Sequence, residues 1–201
     1  MTIFLKKLLL VSAVSLTSLS LKAQFEDRVI TDKHDTIPCK LSRTMMGAYK
    51  YKTAKDDAIK IEMGNVREYY TENKKTWVRR VYITSSRIPC FVDVITTGKL
   101  NLYKMSYKNA YYDGYLTYSS TPSSLGGGQP RSKTQYFVAK SDTAEVVWDD
   151  DLHRSQSKDL IEAKFIPFIQ DNKAVYDHCE ADSHVSDDEL KKLVEMYNAG
   201  K

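Results

Sequence analysis

Apolar and polar positions alternate with period two through most of the first half of the chain. Ile37, Cys39 and Leu41 share one parity within Thr36 to Thr44. Tyr49 and Tyr51 alternate with Lys50 and Lys52, and Ile59, Ile61 and Met63 alternate with Lys60 and Glu62. Met46-Gly47, Asp56-Asp57 and Gly64-Asn65 punctuate these runs. Val66 to Tyr70, Trp77 to Thr84 and Cys90 to Thr97 read as further strands. Gly98-Lys99 makes a tight connection into Leu100 to Tyr112. Short strands at this spacing predict an antiparallel β meander or small barrel.

Residues 113–133 break the alternation. Serines, Pro122, Gly126-Gly127-Gly128 and Pro130 predict a mobile loop. Thr134 to Ala139 then reads as the return strand of a long hairpin, with Glu145 to Trp148 beside it. Beyond Asp149 the period becomes helical. Ser157 is placed to cap a helix with the stripe Ile161, Phe165, Phe168 and Ile169, and Pro167 should kink or restart it. Asn172 to Ala181 reads as a second short helix. Ser186-Asp187-Asp188-Glu189 is a capping box, stapled by Val185 and Leu190. It opens a helix with Leu190, Leu193, Val194 and Tyr197 on one face, and Gly200 is placed to end it. The predicted fold class is therefore α+β: an antiparallel β region over 24–148, then a short helical segment over 149–201.

The first 23 residues have a different pattern. Lys6 and Lys7 precede an apolar run from Leu8 to Leu21, and Leu-Lys-Ala ends at Ala23. A basic start, a short apolar middle and a small-residue end predict a removable secretory signal. The run is shorter than the roughly 20 apolar residues that span a bilayer. The expected mature chain begins near Gln24 in the periplasm or outside the cell, with no transmembrane segment.

That expectation changes the charge balance. The whole chain has 30 Lys+Arg against 26 Asp+Glu. Without Lys6, Lys7 and Lys22 the balance is 27 − 26 = +1, too weak a field to predict a nucleic-acid partner. The charge is unevenly placed, however. Residues 24–140 carry 20 basic and 11 acidic side chains (+9), and residues 141–201 carry 7 and 15 (−8). This distribution fits either two ordinary solvated surfaces or a basic face for an anionic envelope polymer. At 42% hydrophobic and 28% charged residues, the chain can build a core.

Candidate chemistry is sparse. There is no G-x-S-x-G, no H-E-x-x-H and no G-x-x-x-x-G-K, so no cofactor is implied. An oxidising compartment permits a disulfide among the three cysteines. Cys39 and Cys90 both fall on inward strand parity, so a Cys39–Cys90 bridge is one pairing and two buried thiols the other. His178, Asp182 and His184 are the candidate metal ligands: the first two are four apart on a helix face, and the third follows in the loop. Asp149-Asp150-Asp151 lacks the alternating ligands and turn glycine of a calcium loop. Tyrosine is abundant, at 14 against 6 Phe and 2 Trp. Tyr111, Tyr112 and Tyr115 run into the glycine-rich loop and are the candidate sugar-stacking residues.

Several segments resemble a family of uncharacterised secreted proteins of Gram-negative bacteria. A G-D-T-I-x-C-K-I-like pattern is matched by His34 to Leu41, with His34 standing where the family usually has Gly. Tyr49 to Lys52 and Val66 to Tyr70 match its K-Y-K and I-x-x-Y-Y segments. G-K-I-N-L-Y is matched by Gly98 to Tyr103, D-N-K-x-x-Y-D by Asp171 to Asp177, and a closing Y-N by Tyr197-Asn198. The resemblance implies an exported α+β protein and supplies no site. The function expected from the whole sequence is a non-enzymatic envelope binding or assembly module with a glycan or protein ligand. Alternatives are a hydrolase of an envelope polymer and a metal-binding module at the C-terminal helices.

Overall fold

The computed structural model describes residues 25–44, 48–54, 57–85, 88–108, 132–152, 154–181 and 185–200. The chain forms two compact units, divided between Lys75 and Thr76. The fold is α+β and β-rich, as the alternation predicts.

The first unit holds β1 (Asp27–Thr31), β2 (Thr36–Arg43), β3 (Tyr49–Lys52), β4 (Ile59–Lys60) and β5 (Val66–Thr71). They pair antiparallel in the order β5-β1-β2-β3-β4. Val29, Cys39, Tyr51, Ile61, Val66 and Tyr69 are its buried apolar side chains among the described residues. The strand predicted to continue through Met63 stops at Lys60. The Asn65 side chain accepts from Glu62 N–H at 2.9 Å and donates to Lys60 C=O at 3.0 Å, which draws the following residues into a turn.

Thr31 N–H donates to Asp35 C=O at 3.0 Å, leaving a three-residue loop, Asp32 to His34, between the paired residues of β1 and β2. His34 N–H donates to Thr31 C=O at 3.0 Å, and the Thr31 hydroxyl accepts from Lys33 N–H and Asp35 N–H. Closing the loop puts His34 in the left-handed region, at φ 66°. A Cβ is strained there, so His34→Gly is expected to raise stability by about 0.5–1 kcal/mol, read as a higher denaturant midpoint. An unchanged or lower midpoint would mean that the His34 ring, 3.4 Å from the Arg67 guanidinium, offsets the strain.

The second unit begins with β6 (Thr76–Ile83), β7 (Ile88–Thr96), β8 (Asn101–Lys108), β9 (Ser132–Ala139) and β10 (Thr143–Asp149). Consecutive strands pair antiparallel, and β10 returns to pair parallel with β6 at Thr143↔Tyr82 and Ala144↔Ile83. Tyr82 N–H to Asp142 C=O (2.9 Å) and Thr84 N–H to Ala144 C=O (3.1 Å) seal that seam, so the five strands close into a small barrel. Alternation sorts the side chains between two cores. Val81, Ile83, Cys90, Val92, Tyr103, Met105, Phe137 and Ala139 fill one. Leu100, Leu102, Tyr136, Val138 and Val147 face the other, beneath the helices. Strands β8 and β9 are thus covered on both faces.

The helices belong to this second unit. They are α1 (Arg154–Leu160), a π-helical segment (Ile161–Phe165), α2 (Ile166–Ile169), α3 (Lys173–Ala181) and α4 (Asp187–Ala199). The first starts at Arg154, three residues before the predicted cap, and leaves Ser157 buried inside it. Pro167 cannot donate to the ladder, and its ring crowds the carbonyl four residues back. The chain relieves this one turn earlier: Ile166 N–H reaches Ile161 C=O, a five-residue step, and α2 restarts with the proline in its first turn. Ile161, Phe165 and Ile169 stay buried. In α4 the Ser186 hydroxyl accepts from Glu189 N–H at 3.2 Å, and Gly200 ends the helix at φ 69°. The Glu189 carboxylate, expected to turn back to the cap, lies 3.1 Å from His178 Nε2.

Candidate functional site

The candidate site is an open groove of about 620 Å³ in the first unit. Phe25, Leu41 and Tyr49 supply its apolar lining, Arg43 and Lys74 its cations, and Glu26, Asp27 and Glu72 its carboxylates. Its geometry follows from strand pairing. Arg43 and Tyr49 are direct cross-strand partners on β2 and β3, so the guanidinium lies 5.9 Å from the Tyr49 ring centroid. Tyr49 in turn packs on Tyr69 at 5.4 Å, tilted 43°. An aromatic face is thereby held beside a cation, an arrangement that binds planar or anionic groups.

Asp27, at the start of β1, has both carboxylate oxygens engaged. One accepts from Leu41 N–H at 2.8 Å and the other from Glu72 N–H at 2.9 Å. It therefore ties β2 and the turn after β5 to β1, and the groove keeps its shape. Cys39 lies fully buried behind it. Burial, and then the negative charge of Asp27, push the Cys39 thiol up to about 12. At neutral pH almost none is thiolate, so Cys39 is a packing residue of the groove floor and a poor nucleophile.

All three cysteines are buried free thiols in the structure. Cys90 sits in the barrel core of the second unit, and Cys179 under the helices. The expected labelling pattern is no iodoacetamide uptake by the native protein at neutral pH. After unfolding without reductant, three labels per chain are expected. Fewer than three in the unfolded protein would reveal a bridge.

Of the candidate metal ligands, Asp182 and His184 lie outside the described residues. His178 meets the Glu189 carboxylate, and among the described residues no three His, Cys, Asp or Glu side chains converge on a metal site. Tyr111, Tyr112 and Tyr115 also lie outside the described residues. The acidic run is knitted into the barrel: Asp149 accepts from Gln135 Nε2 at 2.7 Å, Asp150 from Thr134 N–H at 2.8 Å, and Asp151 pairs with Lys133.

In the second unit, segments far apart in sequence meet at the end of α4. The Asn198 amide accepts from Leu100 N–H at 2.8 Å and donates to Leu100 C=O at 2.9 Å. Tyr197 donates to the Asp171 carboxylate at 2.8 Å, and Lys140 Nζ lies 5.0 Å from the Tyr197 ring centroid and 3.6 Å from Asp171. The Tyr197 hydroxyl is the main influence holding Asp171 below the ordinary carboxylate range; burial opposes it and Lys140 adds to it. This cluster fastens the last helix to the barrel.

The chain matches no family profile, no curated protein and no solved structure. Sequence reasoning did not find the Arg43–Tyr49 pair, because Tyr49 was legible only as a strand residue. Its partner depends on the register of β2 against β3, which alternation alone does not set.

Proposed function

We propose that this chain is a non-enzymatic binding or assembly module of the cell envelope, taking a glycan or protein ligand in the groove of its first unit. The carrying observation is the state of that groove. Burial keeps the Cys39 thiol protonated at neutral pH and the Asp27 carboxylate accepts two backbone hydrogen bonds, while Tyr49 and Arg43 line the groove. Such a site is equipped to hold a ligand by stacking and charge.

The address supports the same reading. Met1 to Ala23 is a removable signal, the mature chain starts near Gln24, and it works in the periplasm or outside the cell. The resemblance to secreted proteins of Gram-negative bacteria agrees with that export. Among the described residues no helix is long and apolar enough to cross a membrane.

Immobilised mature protein and its Arg43→Ala/Tyr49→Ala variant, each challenged with solubilised envelope glycans and proteins, test the proposal. The wild type is expected to retain a defined ligand and the variant to lose it by about tenfold or more, the scale of one cation–aromatic contact set. Equal retention by both forms would remove the groove from the account.

A further inference from the structure

The opposite face of the same sheet carries charge that folding alone does not favour. Register places Lys40 directly across from Lys52, and Lys50 directly across from Lys60. Lys50 and Lys52 are two apart on β3, so all four lysines project from one face. Like charges in direct cross-strand pairs destabilise a sheet. Protection of a sheet edge explains Lys60, on the edge strand β4. It does not explain Lys40, whose strand β2 is paired on both sides.

We infer that the Lys40–Lys52 and Lys50–Lys60 pairs form a docking face for a linear anionic polysaccharide. This rests on the binding-module reading and names one ligand class and its place. The four lysine side chains are rooted at about 5 Å across the strands and about 7 Å along them. They offer a polymer a short, dense track of positive charge. Acidic groups flank the track: Glu62 pairs with exposed Lys60 at 3.2 Å, Glu68 sits on β5 opposite Ile30, and Glu26, one residue before the Asp27–Cys39 pair, falls beside Lys40.

The neighbours of the lysines select the polymer. The other β2 residues on this face are Thr36, Pro38 and Ser42. A single-stranded nucleic acid binds on aromatic platforms between cations; the aromatic residues of β3 occupy the other face, and Tyr70 of β5 lies two strands from Lys40 with its hydroxyl donated to Glu72. A membrane surface takes cations flanked by apolar side chains, and none of these three is a large apolar residue. Hydroxyls beside ammonium groups suit a hydroxyl-rich, acid-bearing chain. Lysine also reads charge without demanding a fixed fork geometry.

Labelled dextran sulfate is the probe, followed by anisotropy against the mature protein. Neutral dextran, single-stranded DNA and vesicles containing phosphatidylglycerol serve as comparisons. With three to four lysines engaged, log affinity is expected to fall against log salt with a slope of about −2 to −3. That is roughly 15- to 60-fold between about 50 and about 200 mM salt. Lys50→Gln/Lys52→Gln should cut the slope to about half, and Lys50→Arg/Lys52→Arg should keep it. The Gln variant should also melt at a higher temperature, because it removes like-charge pairs, and that shift certifies its fold.

Binding that the Gln variant retains in full would overturn the inference. So would tighter binding of DNA or vesicles than of dextran sulfate at equal salt. If dextran sulfate fails to bind while envelope ligands are still held through Arg43 and Tyr49, only this inference falls. If no envelope ligand is held either, the binding-module reading falls with it.

Discussion

Phe165→Ala is expected to be the most damaging single substitution in the second unit, at about 3–5 kcal/mol. Phe165 is fully buried, at the last position of the π-helical segment, and it packs with Ile161, Ile169 and Leu190 against Leu100, Leu102 and Val138 of the barrel. The extra residue in that turn keeps Ile161, Phe165 and Ile169 on one buried face despite Pro167. Truncation therefore opens a cavity where helix and barrel meet, and the restarted helix cannot slide to fill it. Urea denaturation should show a large fall in midpoint with little change in slope. A loss under about 1 kcal/mol would mean that the helices are not seated on the barrel through this side chain.

The second large effect belongs to Asn198. Its amide satisfies both the N–H and the C=O of Leu100, which is completely buried. Asn198→Ala leaves two buried backbone groups without these partners, a loss of about 2–4 kcal/mol. Gly98 explains why the amide fits. A Cβ on residue 98 would stand 2.5 Å from Asn198 Cγ, so Gly98→Ala should drive the amide off Leu100 and cost a similar amount. The two changes destroy one interaction, and the double variant should be scarcely worse than either single one. Full additivity would show that Gly98 acts elsewhere.

These residues show where the sequence was readable. Local physics was plain in it. The Ser186 cap, the Gly200 terminator and the Ile161–Phe165–Ile169 stripe each depend on neighbours within a turn or two, and each appears as predicted; the Glu189 half of the capping box goes instead to His178. Strand alternation likewise sorted Cys90 and Val92 to the inside. Long-range pairing was not plain. The seam between β10 and β6 joins Ala144 to Ile83, and nothing in either segment marks its partner. Gly98 and Asn198 were visible as motif residues, but their contact depends on where α4 finally rests. Pro167 predicts a kink or a restart, and the choice between them depends on how the core holds Phe165.

The site was less legible than the fold. Aromatic abundance pointed to Tyr111, Tyr112 and Tyr115, and helical spacing pointed to His178, Asp182 and His184. Neither pattern identified Arg43 with Tyr49, or Lys40 with Lys52. Those pairs exist only once the register of β2 and β3 is set, because a shift of one residue would send every lysine to the opposite face. The uneven charge along the chain was the one sequence signal that bore on them.

The most direct measurement is a ¹H–¹⁵N spectrum of the mature protein titrated with solubilised envelope glycan and protein fractions. The account predicts saturable shifts confined to the first unit, centred on Arg43, Tyr49 and Lys74, with the added material recovered chemically unchanged. Shifts confined to residues 76–201, or cleavage of the added polymer, would contradict it.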